Sequence, residues 1–249
     1  MTSFFTRYAR QGEHEQVWNE LRGLGPVPGA LREDAEAVAM ATMERVARHV
    51  VRLAEALPEL GFVPATAGTA PHRPPTEGTP ALVRAMEETV GVLPAALKAS
   101  FLTVGDVSFL GDCPVLGLHY HEGPLPRTGP PGAGYPDPLD VAGAEHLRYE
   151  WEAYLEDAED AADGEEEDEF LFSLAPDEYH KANVSGGTHD VVLPDPRADP
   201  EVYGVFGRKG ITLVEYLRTS IAWGGLPGWE FAPGPAPDAL GRLAVRPDF

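Results

Sequence analysis

The chain has 249 residues, 43% of them hydrophobic, and a formal net charge of −21 at pH 7. The apolar content, which includes 4 Trp, 10 Phe and 8 Tyr, is sufficient for a packed interior and excludes wholesale disorder. The charge argues against direct contact with nucleic acid or an anionic membrane, because both require a basic footprint. It favours solubility and attracts basic partners.

The lone cysteine, Cys113, cannot form an intramolecular disulfide bond. The N-terminal residues lack the apolar core of a secretory signal, and no segment has about 18 consecutive apolar residues. We therefore expect a cytoplasmic protein without a membrane span.

Four helices are predicted in the first part of the chain. A short one covers about 12–22 and a long one covers 31–57. Apolar residues of the long helix recur at steps of four and three, as on a helix with one buried face: Ala39, Met43, Val46, Val50, Leu53 and Leu57. Residues 61–79, rich in Pro, Thr and Gly, predict a connector, and two shorter helices follow at 82–90 and 94–104.

The pattern then changes to short, bulky pieces bounded by Gly, Asp and Pro, which predict paired strands at 107–110 and 115–120. Residues 123–138 contain six Pro and four Gly and predict a long surface loop, followed by a strand at 139–141. A helix is predicted from about residue 144, with a buried face that consists of Leu147, Trp151, Leu155 and Ala158.

An acidic run covers 150–169, where twelve residues are Asp or Glu and none is Lys or Arg. Such runs are typical of solvated segments, and the density of this one also makes it a candidate surface for a basic partner. The candidate contact residues in the run are Glu156, Asp157, Glu159, Asp160, Glu165, Glu166, Glu167 and Asp168.

Further strands are predicted at 170–174, 191–193 and 202–206. Thr212 and Glu215 match a capping box, in which the two side chains cap the start of a helix. This pattern predicts a final helix from about residue 213.

Two tryptophans, Trp223 and Trp229, lie within the sequence WGGLPGWEF. Large rings beside glycines are typical of a buried turn, in which the chain doubles back beneath the rings. The alternative is an exposed anchor, so both residues are also candidate contacts of a protein partner.

His119 and His121 are two residues apart in a predicted strand, which places both imidazoles on one face with Glu122 beside them. The three residues are a candidate metal site, and the alternative is a pair of ordinary strand or loop histidines. Patterns for a phosphate loop, a serine elbow and a dinucleotide-binding turn are absent, so the sequence predicts no cofactor and no catalytic residue.

The order of several segments resembles the SUKH superfamily, which includes the Smi/Knr-type cell-wall assembly regulator of yeast and many bacterial immunity proteins. PALVRAMEETVGVLPAALKASFLTVGDVSFLG at 80–111 resembles the opening of the family, a helix, a Leu-Pro and a second helix before the first strand. PDEYHKANVSGG at 176–187, LPDP at 193–196 and TLVEYLRTSIAWGGLPGW at 212–229 are similar to later segments of a bacterial subgroup.

The resemblance implies an α+β fold with a mostly antiparallel sheet flanked by helices, to which this chain adds an N-terminal helical extension. The predicted divisions are the extension at 1–60, the connector at 61–79, a SUKH-like domain at 80–231 and a tail at 232–249. The acidic run and the extension depart from the common pattern, so the identity of a partner does not carry over from the family.

The leading hypothesis is a non-enzymatic protein-binding module, such as an immunity protein that neutralises a basic bacterial toxin, for example a nuclease. Two alternatives remain open at this point. One is a metal-dependent enzyme that uses His119, His121 and Glu122, and the other is an intracellular regulatory scaffold. The sequence does not specify whether residues 1–60 pack on the rest of the chain.

Overall fold

A computed structural model describes residues 2–122, 135–160, 169–232 and 234–249. The fold is α+β, as predicted, and starts with helices. The α-helices of the described residues are α1 (Phe4–Thr6), α2 (His14–Gly23), α3 (Gly29–Ala56), α4 (Thr79–Thr89), α5 (Ala95–Thr103), α6 (Ala144–Asp160) and α7 (Leu213–Ala222). None of these helices combines the length and the apolarity that crossing a membrane requires.

The strands of the described residues form three small antiparallel sheets, where the sequence predicts one sheet. They are β1 (Val63–Pro64), β2 (His72–Arg73), β3 (Asp106–Ser108), β4 (Gly111–Cys113), β5 (Leu118–His119), β6 (Asp140–Val141), β7 (Phe170–Pro176) and β8 (Thr188–Leu193). The sheets have the strand orders β1-β4-β5, β2-β3-β6 and β7-β8. Strands β1 and β2 both lie in the predicted connector, which therefore contributes an edge strand to each of two sheets.

Helix α3 confirms the long helix predicted from its apolar periodicity and extends it at the N-terminal end. Its predicted stripe is buried, and α5 is its main helical neighbour. One hydrophobic cluster contains this stripe together with buried residues of the other helices and of the sheets. The N-terminal helices therefore pack on the rest of the chain, because the wide apolar face of α3 needs a partner surface.

The segment at 234–249 also packs on α3. Leu240, Leu243 and Phe249 belong to the hydrophobic cluster. The guanidinium of Arg52 on α3 donates a hydrogen bond to the backbone oxygen of Leu243 at 2.7 Å, and His49 lies 3.0 Å from the carboxylate of Asp248. The last residues of the chain are thus held along the helix that dominates its first quarter.

The strand predicted at 115–120 is largely wrong. Residues Pro114–Leu116 form a short 3-10 helix, and only β5 is extended. Proline has no backbone N–H to donate to a neighbouring strand. Gly117 has a φ of 75°, a left-handed conformation that interrupts an extended backbone.

The strand predicted at 202–206 is also wrong. The structure describes all of these residues, and they form no strand. Tyr203 forms an isolated bridge with Asp190, and Gly204 then turns the chain with a φ of 79°. A Cβ on Gly204 would clash with the backbone oxygen of Thr188, so a side chain cannot be accommodated there.

The capping box predicted for α7 is wrong, although the helix begins where expected. The side chain of Thr212 makes no capping hydrogen bond to the helix. The carboxylate of Asp199 accepts the hydrogen bond from the backbone N–H of Val214 at 3.0 Å instead. Asp199 is buried, and its other oxygen accepts a hydrogen bond from Arg22 of α2 at 3.1 Å.

We predict that Asp199→Ala lowers the free energy of unfolding by about 2–3 kcal/mol, because it leaves a helix-terminal N–H and a guanidinium without their shared acceptor. Glu215→Ala is the matched control, since it removes the other half of the predicted capping box. Its expected effect is within about 0.5 kcal/mol. Urea denaturation of both variants checks this, and an equal loss in both would contradict a cap by Asp199.

Candidate functional site

Helix α6 carries part of the predicted acidic surface. Its inner side packs on β7, where the rings of Trp151 and Tyr154 lie 5.0 and 5.2 Å from the ring of Phe170. The predicted inner face is wrong at its far end, because Tyr154 takes the inward position. Leu155 and Ala158 are consequently exposed.

The outer side of α6 presents four exposed residues that we name the acidic face: Glu152, Leu155, Glu156 and Asp157. Leu155 is 45% exposed and lies about one turn after Glu152, whereas Asp157, two positions further along the helix, faces away from Leu155. Arg148 donates a hydrogen bond to Glu152 at 3.1 Å. Within the described part of the chain, Glu156 and Asp157 form no ion pair and remain available to a partner.

The other acidic candidates continue from this face along the chain. The backbone of Glu159 and Asp160 forms the last turn of α6. Four candidates lie outside the described residues: Glu165, Glu166, Glu167 and Asp168.

Trp229 is held by internal contacts. Its indole N–H donates a hydrogen bond to the backbone oxygen of Leu116 at 3.1 Å, and its ring covers Gly117, where a Cβ would lie 2.6 Å from the ring. Trp223 is half-buried against the hydrophobic cluster at the end of α7. These contacts fit the buried-turn alternative, and the role of either ring as a partner anchor stays a prediction.

The three candidate metal ligands do not form one group: His121 pairs with Asp112, and His119 lies near Glu122. Strand β5 ends at His119, so His121 lies in the following turn and the two imidazoles do not share a strand face. Both nitrogens of His121 face acceptors, the carboxylate of Asp112 and the backbone oxygen of Ala65, and the hydrogen bond with Asp112 raises its pKa. His119 lies 3.6 Å from Glu122. Among the described residues, no group of three or more His, Cys, Asp or Glu side chains is placed to hold a metal ion.

A buried cluster of ionisable side chains lies near the starts of β8 and α7, and no pattern in the sequence indicates it. The ammonium of Lys181 donates hydrogen bonds to Asp137 at 2.6 Å and to the hydroxyl of Tyr216 at 3.1 Å. The imidazole of His189 lies 3.7 Å from Asp137, beyond hydrogen-bond distance, and Glu178 is buried beside them.

The electrostatics of this cluster keep Lys181 and Asp137 charged. Burial opposes both charges, but their mutual attraction outweighs it, so the pKa of Lys181 is raised and that of Asp137 is held at about 2. Burial and the Lys181 charge lower the pKa of His189, which favours its neutral form. Burial raises the pKa of Glu178 to about 7, and the nearby carboxylate of Asp137 adds to this shift.

Two small cavities lie against this cluster. One has a volume of about 10 Å³ and the other about 20 Å³, and Asp137 and Glu178 line both. Each has room for roughly one water molecule. Their size fits a solvated polar interior and does not admit an organic substrate.

Comparisons with known proteins give no relative to set beside this geometry. No family model matches the chain, and no curated protein or solved structure matches it significantly. The resemblance to the SUKH superfamily therefore stays a prediction.

We predict that Lys181→Met lowers the free energy of unfolding by about 3–5 kcal/mol, because it leaves the carboxylate of Asp137 buried without its cation. Asp137→Asn is expected to cost a similar amount, and Asn tolerates the φ of 49° at this position. The double variant should lose clearly less than the sum of the two. Urea denaturation gives all three values, and strictly additive losses would contradict a coupled pair.

We also predict a pH-dependent effect of Glu178→Gln. Because the folded pKa is about 7 and the ordinary value is 4.5, the folded chain binds more protons than the unfolded chain between these two pH values. Glu178 therefore lowers stability progressively as the pH rises from 4.5 to 7.

The free energy of unfolding of the Gln variant, relative to that of the original chain, should increase by about 1–3 kcal/mol as the pH rises through this window. Thermal or urea unfolding measured below and above the window provides the comparison. The exposed Glu88→Gln removes the same formal charge and serves as the control. A constant difference across the window would show that Glu178 does not titrate as described.

Proposed function

We propose that the chain is a non-enzymatic, cytoplasmic protein-binding module that captures a basic protein through the acidic face of α6. The observation that carries this proposal is the joint exposure of Leu155 and of the carboxylates of Glu152, Glu156 and Asp157 on a helix whose other side is anchored by Trp151 and Tyr154.

The combination of apolar and acidic groups favours a protein partner. Isolated surface charges are usually solvated, whereas a large exposed apolar side chain contributes to binding when a partner excludes water from it. Tyr149, on the same helix, adds exposed apolar area at 67% exposure. The carboxylates of the acidic face would select a basic surface and speed its association.

An immunity role is the form of this proposal that the sequence supports best. Many bacterial members of the SUKH superfamily, which the chain resembles, neutralise toxins by direct binding. A nuclease toxin carries a basic surface for its nucleic-acid substrate. The net charge of −21 would attract such a surface over a range set by the ionic strength.

The test uses a basic toxin that is encoded by a gene next to the gene for this chain. We expect the full-length chain to bind it and to restore growth of cells that express it. The variant Glu152→Gln/Glu156→Gln/Asp157→Asn should bind about 10-fold or more weakly, because three carboxylates of the contact surface are neutralised. Surface plasmon resonance at two salt concentrations measures the loss.

The matched control is Glu44→Gln/Glu55→Gln/Glu59→Gln, which changes the net charge equally at exposed positions on and after α3. Its affinity is expected to stay within about 2-fold of the original. Equal weakening of both triple variants would contradict a specific role of the acidic face. The absence of a basic toxin among the neighbouring genes would contradict the immunity role.

A further inference from the structure

An open groove lies between helices α2 and α7. The segment at 207–211 and the residues at 246–249 complete its walls, and its volume is about 870 Å³. This size lies within the range of sites that bind small molecules. The groove shares no residue with the acidic face of α6.

The lining of this groove is unusually basic for so acidic a chain. Five of the 19 Lys and Arg side chains line it: Arg22, Arg208, Lys209, Arg218 and Arg246. Among the described residues, only two acidic side chains, Glu15 and Glu215, line it with them. The groove is therefore a local region of positive charge in a chain whose net charge is −21.

Two of these cations have partners that explain their positions. Arg22 donates a hydrogen bond to the buried Asp199 and lies 3.1 Å from Glu215. Arg208 pairs with Glu230 and lies over the ring of Phe231. The internal packing of the protein accounts for both, so they do not by themselves indicate a ligand.

The other three cations have unused hydrogen-bonding capacity. Lys209 and Arg246 are exposed, and neither has a hydrogen bond or ion pair within the described residues. The Nε of Arg218 donates to the backbone oxygen of Phe249 at 2.7 Å, whereas its Nη2 is buried without an acceptor in the described structure. Burial, together with the neighbouring charge of Arg22, lowers the pKa of Arg218.

A buried guanidinium N–H needs an acceptor, which water or an anionic ligand can supply. The planar guanidinium matches both phosphate and carboxylate groups, because it offers two parallel N–H donors.

We propose that this groove binds a small organic anion that carries at least two phosphate or carboxylate groups. Arg218 would hold one anionic group, and Lys209 and Arg246 would hold another. Ile211, Pro247 and the ring of Phe249 also line the groove and would contact the organic part of the ligand. The site goes beyond protein binding by α6 and does not depend on it.

Isothermal titration calorimetry of the whole chain at low salt tests the proposal with three probes: pyrophosphate, ATP without magnesium, and citrate. We expect at least one probe to bind with one site per chain. Lys209→Gln/Arg246→Gln should weaken that binding by about 10-fold or more, since both side chains are exposed and their loss removes contacts without disturbing the core.

The matched control is Arg84→Gln/Arg242→Gln, which removes two exposed cations elsewhere and leaves affinity within about 2-fold. Binding of the two phosphate probes without citrate identifies a phosphate site, and binding of all three identifies a general polyanion site. Lack of binding by every probe at millimolar concentration would overturn the proposal. So would equal weakening by the two double variants.

Discussion

The carboxylate of Asp199 lies buried between the start of α7 and the guanidinium of Arg22, and it accepts a hydrogen bond from each. Burial raises the pKa of Asp199 to about 6, and the backbone N–H of Val214, the side chain of Thr212 and Arg22 limit this rise because they stabilise the ionised carboxylate. The ionised carboxylate therefore holds Arg22, near the end of α2, at the start of α7. Both helices line the groove proposed as an anion site, so the N-terminal helices contribute to its walls.

The sequence predicts those parts of the fold whose causes are local. The stripe of α3 repeats over about five turns, and such long periodicity has few interpretations other than an amphipathic helix. The strands fail more often because most are two or three residues long, which leaves no alternation to detect. The capping box shows the limit clearly: Thr212 and Glu215 have the correct spacing, but Asp199, distant in sequence, provides the acceptor.

The candidate sites also differ in how much of each the sequence predicts. The acidic face lies in one continuous run, so its composition was visible, although the outward position of Leu155 depends on how α6 rotates against Phe170. The pair of Lys181 and Asp137 joins residues 44 positions apart, and no pattern in the sequence connects them. The cations of the groove come from four separate segments, so only the packing of α2, α7 and the last residues brings them together.

The two surfaces act over different distances. At physiological salt the Debye length is about 8 Å, so a ligand inside the groove experiences mainly Arg218, Lys209 and Arg246, and little of the remaining negative charge. A basic protein that approaches from farther away responds to the summed charge of −21 and is attracted before any contact forms. One acidic chain would thus attract a basic macromolecule by its overall field and retain a small anion by short-range hydrogen bonds, because cations outnumber acidic side chains among the described residues that line the groove.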